Sequence, residues 1–211
     1  MIPFPVILSA PSGGGKTTIA RHLMERRSDV GYSVSCTTRP PRAGEVDGRD
    51  YHFLATGEFI AARERGEFAE SAEVHGRLYG TLRREVRRVL GSGKHVIMDI
   101  DVQGAEQFVR AFPDSVTIFL LPPSGEVLLQ RLTARKTEDA ASLRQRLESA
   151  MHELRQVRHY QYVVVNDELD GAIGRVSAVI DAETARGSRT EGLDGRVTSL
   201  VSRLERELGR L

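Results

Sequence analysis

Apolar residues along this chain follow two patterns, continuous runs and stripes at three- and four-residue spacing. The continuous runs predict covered strands, at residues 6–8, 95–101, 116–121 and 162–165. The stripes predict helices, at residues 19–24, 56–65, 82–90, 102–112, 143–154, 169–180 and 196–211. Strands that alternate with helices in this way predict an α/β fold, with a parallel sheet covered by helices.

Local signals predict several element boundaries. Tyr32 to Ser35 alternates like a short strand, and Thr81 and Ser124 are candidate caps for the helices that follow them. Residues 186–195 are rich in Gly, Ser and Thr and predict a linker. Residues 196–211 predict an amphipathic helix, which is marginal alone at sixteen residues. We therefore expect this helix to pack on its own core or on a second copy, as in a homo-oligomer.

The stretch from Ala10 to Thr17 predicts a phosphate-binding loop, because a strand precedes it and a helix follows it. Three consecutive glycines allow a tight turn whose amide hydrogens point inward, at the positive end of the helix dipole. Lys16 is predicted to reach the outer phosphates, and the Thr17 hydroxyl to bind Mg²⁺. The usual pattern begins with Gly where this chain has Ala10, a difference that we interpret as tolerated.

Asp99 follows the buried run that starts at His95. Carboxylates at the end of such a strand lie where ligands bind in open α/β sheets. We expect Asp99 to hold Mg²⁺ together with Thr17, directly or through water.

Residues 35–81 interrupt the alternation of strands and helices. Segment 36–51 holds two prolines and two glycines, which exclude a continuous helix. Arg39 and Arg42 lie on this stiffened loop. Their pattern fits a clamp for a second phosphate group and, equally well, a solvated basic turn.

A second group of basic residues predicts a mobile lid. It comprises Arg131, Arg135, Lys136, Arg144 and Arg146. The polar segment 137–139 divides the group, and charge on both sides of a hinge suits a lid that closes on phosphates. A solvated helical face is the alternative, and we favour it for Arg144.

Composition excludes several classes of protein. A net charge of +1 gives no global field that favours nucleic acid or an anionic membrane. No apolar run approaches the roughly 20 residues that cross a bilayer, and residues 1–5 lack the features of a secretion signal. The single cysteine, Cys36, excludes an internal disulfide. We expect a cytoplasmic protein without nucleic-acid or membrane partners.

Several segments together resemble the signature of the guanylate kinase family, in one register from about residue 5 to 180. They are Ser33-Val34-Ser35 through Arg39, Pro41-Arg42, Gly44-Glu45, Gly48, Asp50-Tyr51-x-Phe53, Glu67-Phe68-x-Glu70, Tyr79-Gly80-Thr81, Asp99-Ile100-Asp101-x-Gln103-Gly104, Pro122-Pro123-Ser124 and Val165-Asn166-Asp167. Leu78 and the segment Ala134-Arg135-Lys136 depart from the family pattern, and residues 185–211 lie outside it.

This resemblance implies a phosphate-loop NTPase-type parallel sheet with two additions. They are a small mixed α/β GMP-binding insertion at about 35–81 and a helical lid at about 126–149. The core comprises about 1–34, 82–125 and 150–184, so that 1–184 forms one guanylate kinase-like domain. Residues 185–211 then form the linker and the C-terminal helix.

The resemblance also implies a role for each matching residue. The GMP-binding residues would be Ser35, Arg39, Arg42, Tyr51, Glu70, Tyr79, Thr81 and Asp101. The ATP-binding residues would be Ser12, Gly13, Gly14, Gly15, Lys16, Thr17, Thr18, Arg131, Asn166 and Asp167. The catalytic residues would be Lys16, Arg42, Arg135 and Arg146. The implied reaction is Mg²⁺-dependent transfer of the γ-phosphoryl group of ATP to GMP, and to dGMP as well.

Two other functions are weighed against this one. Another mononucleotide kinase could share the loop and the lid, but Glu70 with Ser35 and Thr81 favours guanine. A non-catalytic module that binds phosphorylated proteins through Arg39 and Arg42 would have little use for Lys16 and the lid arginines.

Overall fold

Strands and helices alternate along the chain in the computed structural model, which describes residues 1–74, 76–133 and 140–210. In order, they are β1 (Pro5–Ser9), α1 (Lys16–Arg26), β2 (Val30–Tyr32), β3 (Cys36–Thr37), β4 (His52–Phe53), α2 (Thr56–Glu64), β5 (Phe68–Val74), β6 (Arg77–Leu82), α3 (Arg83–Gly91), β7 (His95–Asp99), α4 (Val102–Ala111), β8 (Val116–Leu121), α5 (Gly125–Thr133), α6 (Ala140–Arg155), β9 (Tyr162–Val165), α7 (Leu169–Thr184) and α8 (Leu193–Leu208).

The main sheet has five parallel strands in the order β2-β7-β1-β8-β9. Successive residues of β1 point to opposite faces. Val6 and Leu8 pack with α1 and α7 on one face, and Ile7 packs with α3 and α4 on the other. Both faces are covered, which is why β1 is apolar almost throughout. The parallel order brings the ends of β1 and β7 to the same edge, as the predicted α/β fold requires.

A second, four-stranded sheet lies in the segment predicted as an insertion, in the order β4-β3-β6-β5. It is mixed, since β3 pairs parallel to β4 and antiparallel to β6. Helix α2 covers it through Phe59, which stacks on Phe68 with ring centroids 4.4 Å apart. Cys36 and Leu82 complete this small core.

Helices α5 and α6 form a helical pair where the lid was predicted. Leu128, Leu132 and Ala150 are buried between them. Helix α6 continues without a break to Arg155, so the predicted lid boundary at residue 149 falls inside one helix. Arg135 and Lys136 lie outside the described residues.

Some local predictions were wrong. Thr81 does not cap α3, because it lies in β6, where its hydroxyl donates to Glu70 and Leu82 precedes the helix. The short strand is Val30–Tyr32, because these residues pair with β7.

The C-terminal prediction also needs correction. Segment 186–195 is not simply a linker, because Arg189 within it is buried and pairs with Glu183 of α7 at 3.2 Å. Helix α8 begins at Leu193 and ends at Leu208. None of the helices in the described ranges combines the length and the apolar character needed to span a membrane.

Candidate active site

The loop between β1 and α1 has the backbone conformation that its three glycines permit. Gly13 and Gly15 have φ values of +76° and +86°, in the left-handed region that favours glycine. Gly14 has no room for a side chain, since an added Cβ would lie 2.5 Å from the Cβ of Ala10. Its amide donates to the Pro11 carbonyl at 2.7 Å, which closes the turn. Ala10 itself is fully buried in the core.

Lys16 is the first residue of α1 and is held against the loop. Its ammonium group donates to the Ala10 carbonyl at 2.7 Å. Burial lowers the pKa of Lys16, while the carboxylates of Glu153, Asp99 and Asp101 raise it. A buried cation among carboxylates at the mouth of an amide-lined loop is suited to bind phosphate.

Glu153 of α6 reaches the same loop from a distant part of the sequence. Its Oε2 atom accepts a hydrogen bond from the Ser12 backbone N–H at 3.1 Å. Burial raises the pKa of Glu153, and the positive charge of Lys16 opposes this shift. Glu153 was not predicted to take part, because an acidic residue on a long helix is ordinarily a surface group.

Asn166 binds the phosphate loop, and Arg131 binds Asn166. The Asn166 side-chain amide donates to the Gly14 carbonyl at 2.8 Å, and Arg131 donates to the Asn166 carbonyl at 3.2 Å. Asp167 pairs with Arg175. The geometry thus brings Asn166 to the loop, and contact of Asn166 and Asp167 with adenine stays a prediction.

Thr17 and Asp99 lie in contact at the edge of the sheet. The Thr17 hydroxyl donates to the Asp99 carboxylate, and the Tyr32 hydroxyl donates to the other oxygen at 2.8 Å. An oxygen pair of this kind fits Mg²⁺, which usually completes its shell with water and phosphate oxygens. The described residues contain no cluster of three or more His, Cys, Asp or Glu side chains that could enclose a metal. Tyr32 was not predicted to take part.

A pocket of about 170 Å³ lies between the two sheets. Five of the eight predicted GMP-binding residues line it, namely Ser35, Tyr51, Glu70, Tyr79 and Asp101. The Thr81 hydroxyl donates to Glu70 at 2.6 Å. Burial raises the pKa of Glu70 to about 7. A carboxylate in such a pocket can accept from the ring N–H and the exocyclic amine of guanine together.

Arg39 is not a solvated residue, since Glu45 binds it through two hydrogen bonds of 2.7 and 2.8 Å. Its guanidinium lies 5.2 Å from the ring centroid of Tyr51, a cation–π contact. The pairing raises the pKa of Arg39 and lowers that of Glu45 to about 2. Glu45 also accepts from the Arg42 backbone N–H at 2.7 Å, while the Arg42 side chain is exposed.

A larger cleft, of about 690 Å³, lies beside the phosphate loop. Among its lining residues are Ser12, Lys16, Asp101, Arg146 and Glu153. Arg146 donates to the Leu132 carbonyl at 2.7 Å, which ties it to the last turn of α5. Asp101 also caps α4 by accepting from the Gly104 N–H at 2.7 Å. Asp101 lines the smaller pocket as well, so the two cavities adjoin.

Comparison with known proteins agrees with this geometry. The family model described as guanylate kinase matches residues 3–183. A guanylate kinase of Chelativorans sp. (strain BNC1) is 44% identical over 198 residues, which cover 93% of this chain and 91% of the relative. One from Novosphingobium aromaticivorans is 46% identical over 196 residues, 92% of this chain and 89% of the relative.

A solved structure agrees as well. The crystal structure of guanylate kinase from Anaplasma phagocytophilum superposes with a TM-score of 0.76 at 32% identity, and covers 94% of this chain and 95% of its own. The relatives and the family model span nearly the whole chain. The chain therefore belongs to the guanylate kinase family.

Proposed function

We propose that this protein transfers the γ-phosphoryl group of ATP to GMP, giving ADP and GDP. The observation that carries the proposal is the shared wall at Asp101, which joins the cleft beside the phosphate loop to the pocket of Glu70. A donor phosphate held by the loop and a guanine nucleotide held by Glu70 can therefore meet. Membership of the guanylate kinase family supports the same reaction.

The acceptor site recognises guanine by hydrogen bonding. The Glu70 carboxylate accepts from the two adjacent donors of guanine, a pair that adenine does not present. Thr81 already donates to one Glu70 oxygen and so fixes the orientation of the carboxylate. Ser35 and Asp101 complete the contacts to the nucleoside. We propose dGMP as a second substrate, because the contacts assigned to Glu70, Thr81 and Ser35 are to the guanine base, which GMP and dGMP share.

The phosphate of GMP binds between the two sheets. Arg39, Arg42, Tyr51 and Tyr79 are the residues that we assign to it. Glu45 holds the Arg39 guanidinium and the backbone of Arg42 in place before GMP arrives. Glu45 already accepts from both terminal nitrogens of the Arg39 guanidinium. The GMP phosphate must therefore share these nitrogens with Glu45 or displace Glu45 from one of them.

The ATP site consists of Ser12, Gly13, Gly14, Gly15, Lys16, Thr17 and Thr18 with Arg131, Asn166 and Asp167. Thr17 and Asp99 would hold Mg²⁺, which neutralises phosphate charge when bound. An oxygen of the GMP phosphate attacks the γ-phosphorus in line. The bond to the bridging oxygen breaks, and its electron pair leaves with ADP. Lys16, Arg135 and Arg146 stabilise the charge of the transition state, so no side-chain nucleophile is needed.

A nucleotide screen tests this proposal. ADP release in the presence of ATP and Mg²⁺ should depend on GMP, and dGMP should also serve as an acceptor. AMP, UMP and CMP should give little turnover. A faster rate with AMP than with GMP would identify another mononucleotide kinase. GMP binding without turnover by any acceptor would identify a non-catalytic module.

We also propose that α8 pairs with α8 of a second copy, giving a homo-oligomer. Its apolar residues are exposed, including Leu200 at 67%, Leu204 at 65% and Leu208 at 75%. Leu193, Val197, Leu200 and Leu204 recur at 4-3-4 spacing, the repeat by which helices pair. Sedimentation equilibrium should give a dimer that Leu204→Glu converts to a monomer. A monomeric wild-type chain contradicts this assignment.

The cellular role follows from the substrates. We propose that the protein acts in the cytoplasm in recycling purine nucleotides, where the GDP that it forms supplies GTP. ATP and GMP are its proposed partners, without nucleic acid or membrane.

A further inference from the structure

Glu153 connects two parts of the active site that are 141 residues apart in sequence. Its carboxylate accepts from the backbone N–H of Ser12 in the phosphate loop, at 3.1 Å. The carboxylates of Glu153, Asp99 and Asp101 all raise the pKa of Lys16, Glu153 the most. The last turn of α6 is therefore joined to the phosphate loop by a charge-assisted hydrogen bond and by attraction to a buried cation.

The other two carboxylates near Lys16 serve different contacts. Asp99 accepts from the Thr17 and Tyr32 hydroxyls. Asp101 caps α4 through the Gly104 N–H. Of these three acidic residues, only Glu153 belongs to the helical pair α5–α6.

Glu153 and Arg146 lie on the same face of α6, because seven residues are close to two helical turns. Both line the cleft beside the phosphate loop. The two residues are separated along the helix axis by roughly 10 Å, at 1.5 Å per residue. A helix is stiff over this length, so the contact that fixes Glu153 to the loop also sets where Arg146 stands relative to the loop.

We infer that Glu153 is a positioning residue for phosphoryl transfer, which fastens α6 to the phosphate loop and thereby places Arg146 against the transferring group. The inference rests on the proposed function. Glu153 acts through Arg146 and makes no contact with the reacting atoms. A displacement of about 1 Å in such a group can lower a rate about 10²-fold.

A double-mutant cycle tests this role. Glu153→Ala should lower the single-turnover rate about 10- to 100-fold, with the KM for GMP changed less than about twofold. In an Arg146→Ala background the same substitution should lower the rate less than about threefold, because the group that it positions is gone. Glu153→Gln keeps an acceptor oxygen and should lose less than Glu153→Ala. Equal losses in both backgrounds would overturn the inference.

Glu106→Ala is the control, because Glu106 is an exposed carboxylate on α4, paired with Arg110, and lies outside the cleft beside the phosphate loop. It should leave the rate unchanged. Hydrogen exchange gives a measurement that does not depend on activity. Glu153→Ala should speed amide exchange in the peptides of the loop and of α6, and Glu106→Ala should not.

The outcomes separate the inference from the proposed function. An active kinase whose loop exchanges at the wild-type rate in Glu153→Ala contradicts the inference alone. A wild-type protein that forms no GDP contradicts the proposed function, and the inference about Arg146 falls with it.

Discussion

Replacing Glu70 by Gln tests how the acceptor pocket recognises guanine. Gln has the same shape but presents one acceptor and one N–H donor, and that donor would face a donor of guanine. The change removes one charge-assisted hydrogen bond to guanine and weakens the other. Together these effects lower the stabilisation of the transition state by about 3 kcal/mol. We therefore expect kcat/KM for GMP to fall about 100-fold. Glu64→Gln is the control, since Glu64 is an exposed carboxylate on α2, which covers the same sheet, and lines neither cavity.

The pKa of Glu70 adds a pH dependence to this prediction. Burial raises that pKa to about 7 in the nucleotide-free protein. Guanine requires the ionised form, which makes up about one half of the protein at pH 7 and about one tenth at pH 6. We expect kcat/KM for GMP to fall about fivefold between these values through Glu70, in addition to any effect of the GMP phosphate. Glu70→Gln retains the effect of the phosphate, so the difference between the two pH profiles isolates Glu70.

Calorimetry in two buffers of different ionisation enthalpy measures the linked proton. Wild-type protein should release about half a proton on binding GMP at pH 7, relative to Glu70→Gln. Identical pH profiles and identical proton release in the two proteins would refute our account of the pocket.

Three further substitutions test other parts of the structure. Gly14→Ala should weaken ATP binding, measured by calorimetry, and also lower the melting temperature, because the added Cβ would lie 2.5 Å from the Cβ of Ala10 and both residues are buried; retained ATP affinity would contradict the loop geometry. Asp99→Asn should raise the Mg²⁺ concentration that gives half-maximal rate about tenfold or more, and an unchanged Mg²⁺ titration would remove Asp99 from the metal site. Arg189→Ala should lower the free energy of unfolding in urea by about 2–3 kcal/mol, because it leaves the buried Glu183 with one cation fewer, whereas a loss below about 0.5 kcal/mol would show that segment 186–195 is not anchored there.

Local sequence predicted the phosphate loop well, because its chemistry depends on neighbouring residues. Three glycines, Lys16 and Thr17 are consecutive, and the strand and helix around them are visible as apolar patterns. Asp99 could be placed at the ligand-binding edge of the sheet because it follows a buried strand. The α/β fold followed from the same alternation of strands and helices.

Contacts between distant residues could not be predicted in this way. Tyr32 reaches Asp99 across 67 positions, and Glu153 reaches Ser12 across 141. In the sequence alone, nothing distinguishes either residue from an ordinary surface or core residue. Thr81 was misread as a cap for a related reason, since its strand is defined by pairing with β5 and not by its own neighbours.

The C-terminal segment shows the same limit. Its Gly, Ser and Thr content predicted a linker, yet Arg189 is buried by an ion pair with Glu183 and by contact with the Phe4 ring, 3.9 Å from its centroid. Composition describes the backbone preference of such a segment and carries no information about a partner elsewhere in the chain.

The most direct test of the proposed function follows the phosphoryl group itself. ATP labelled in its γ-phosphate is mixed with the protein, Mg²⁺ and GMP, and the products are separated by chromatography. Our account predicts that the label appears in GDP, with little inorganic phosphate, and that Lys16→Ala abolishes the transfer. Label that appears only as inorganic phosphate, or that passes to AMP in preference to GMP, would contradict it.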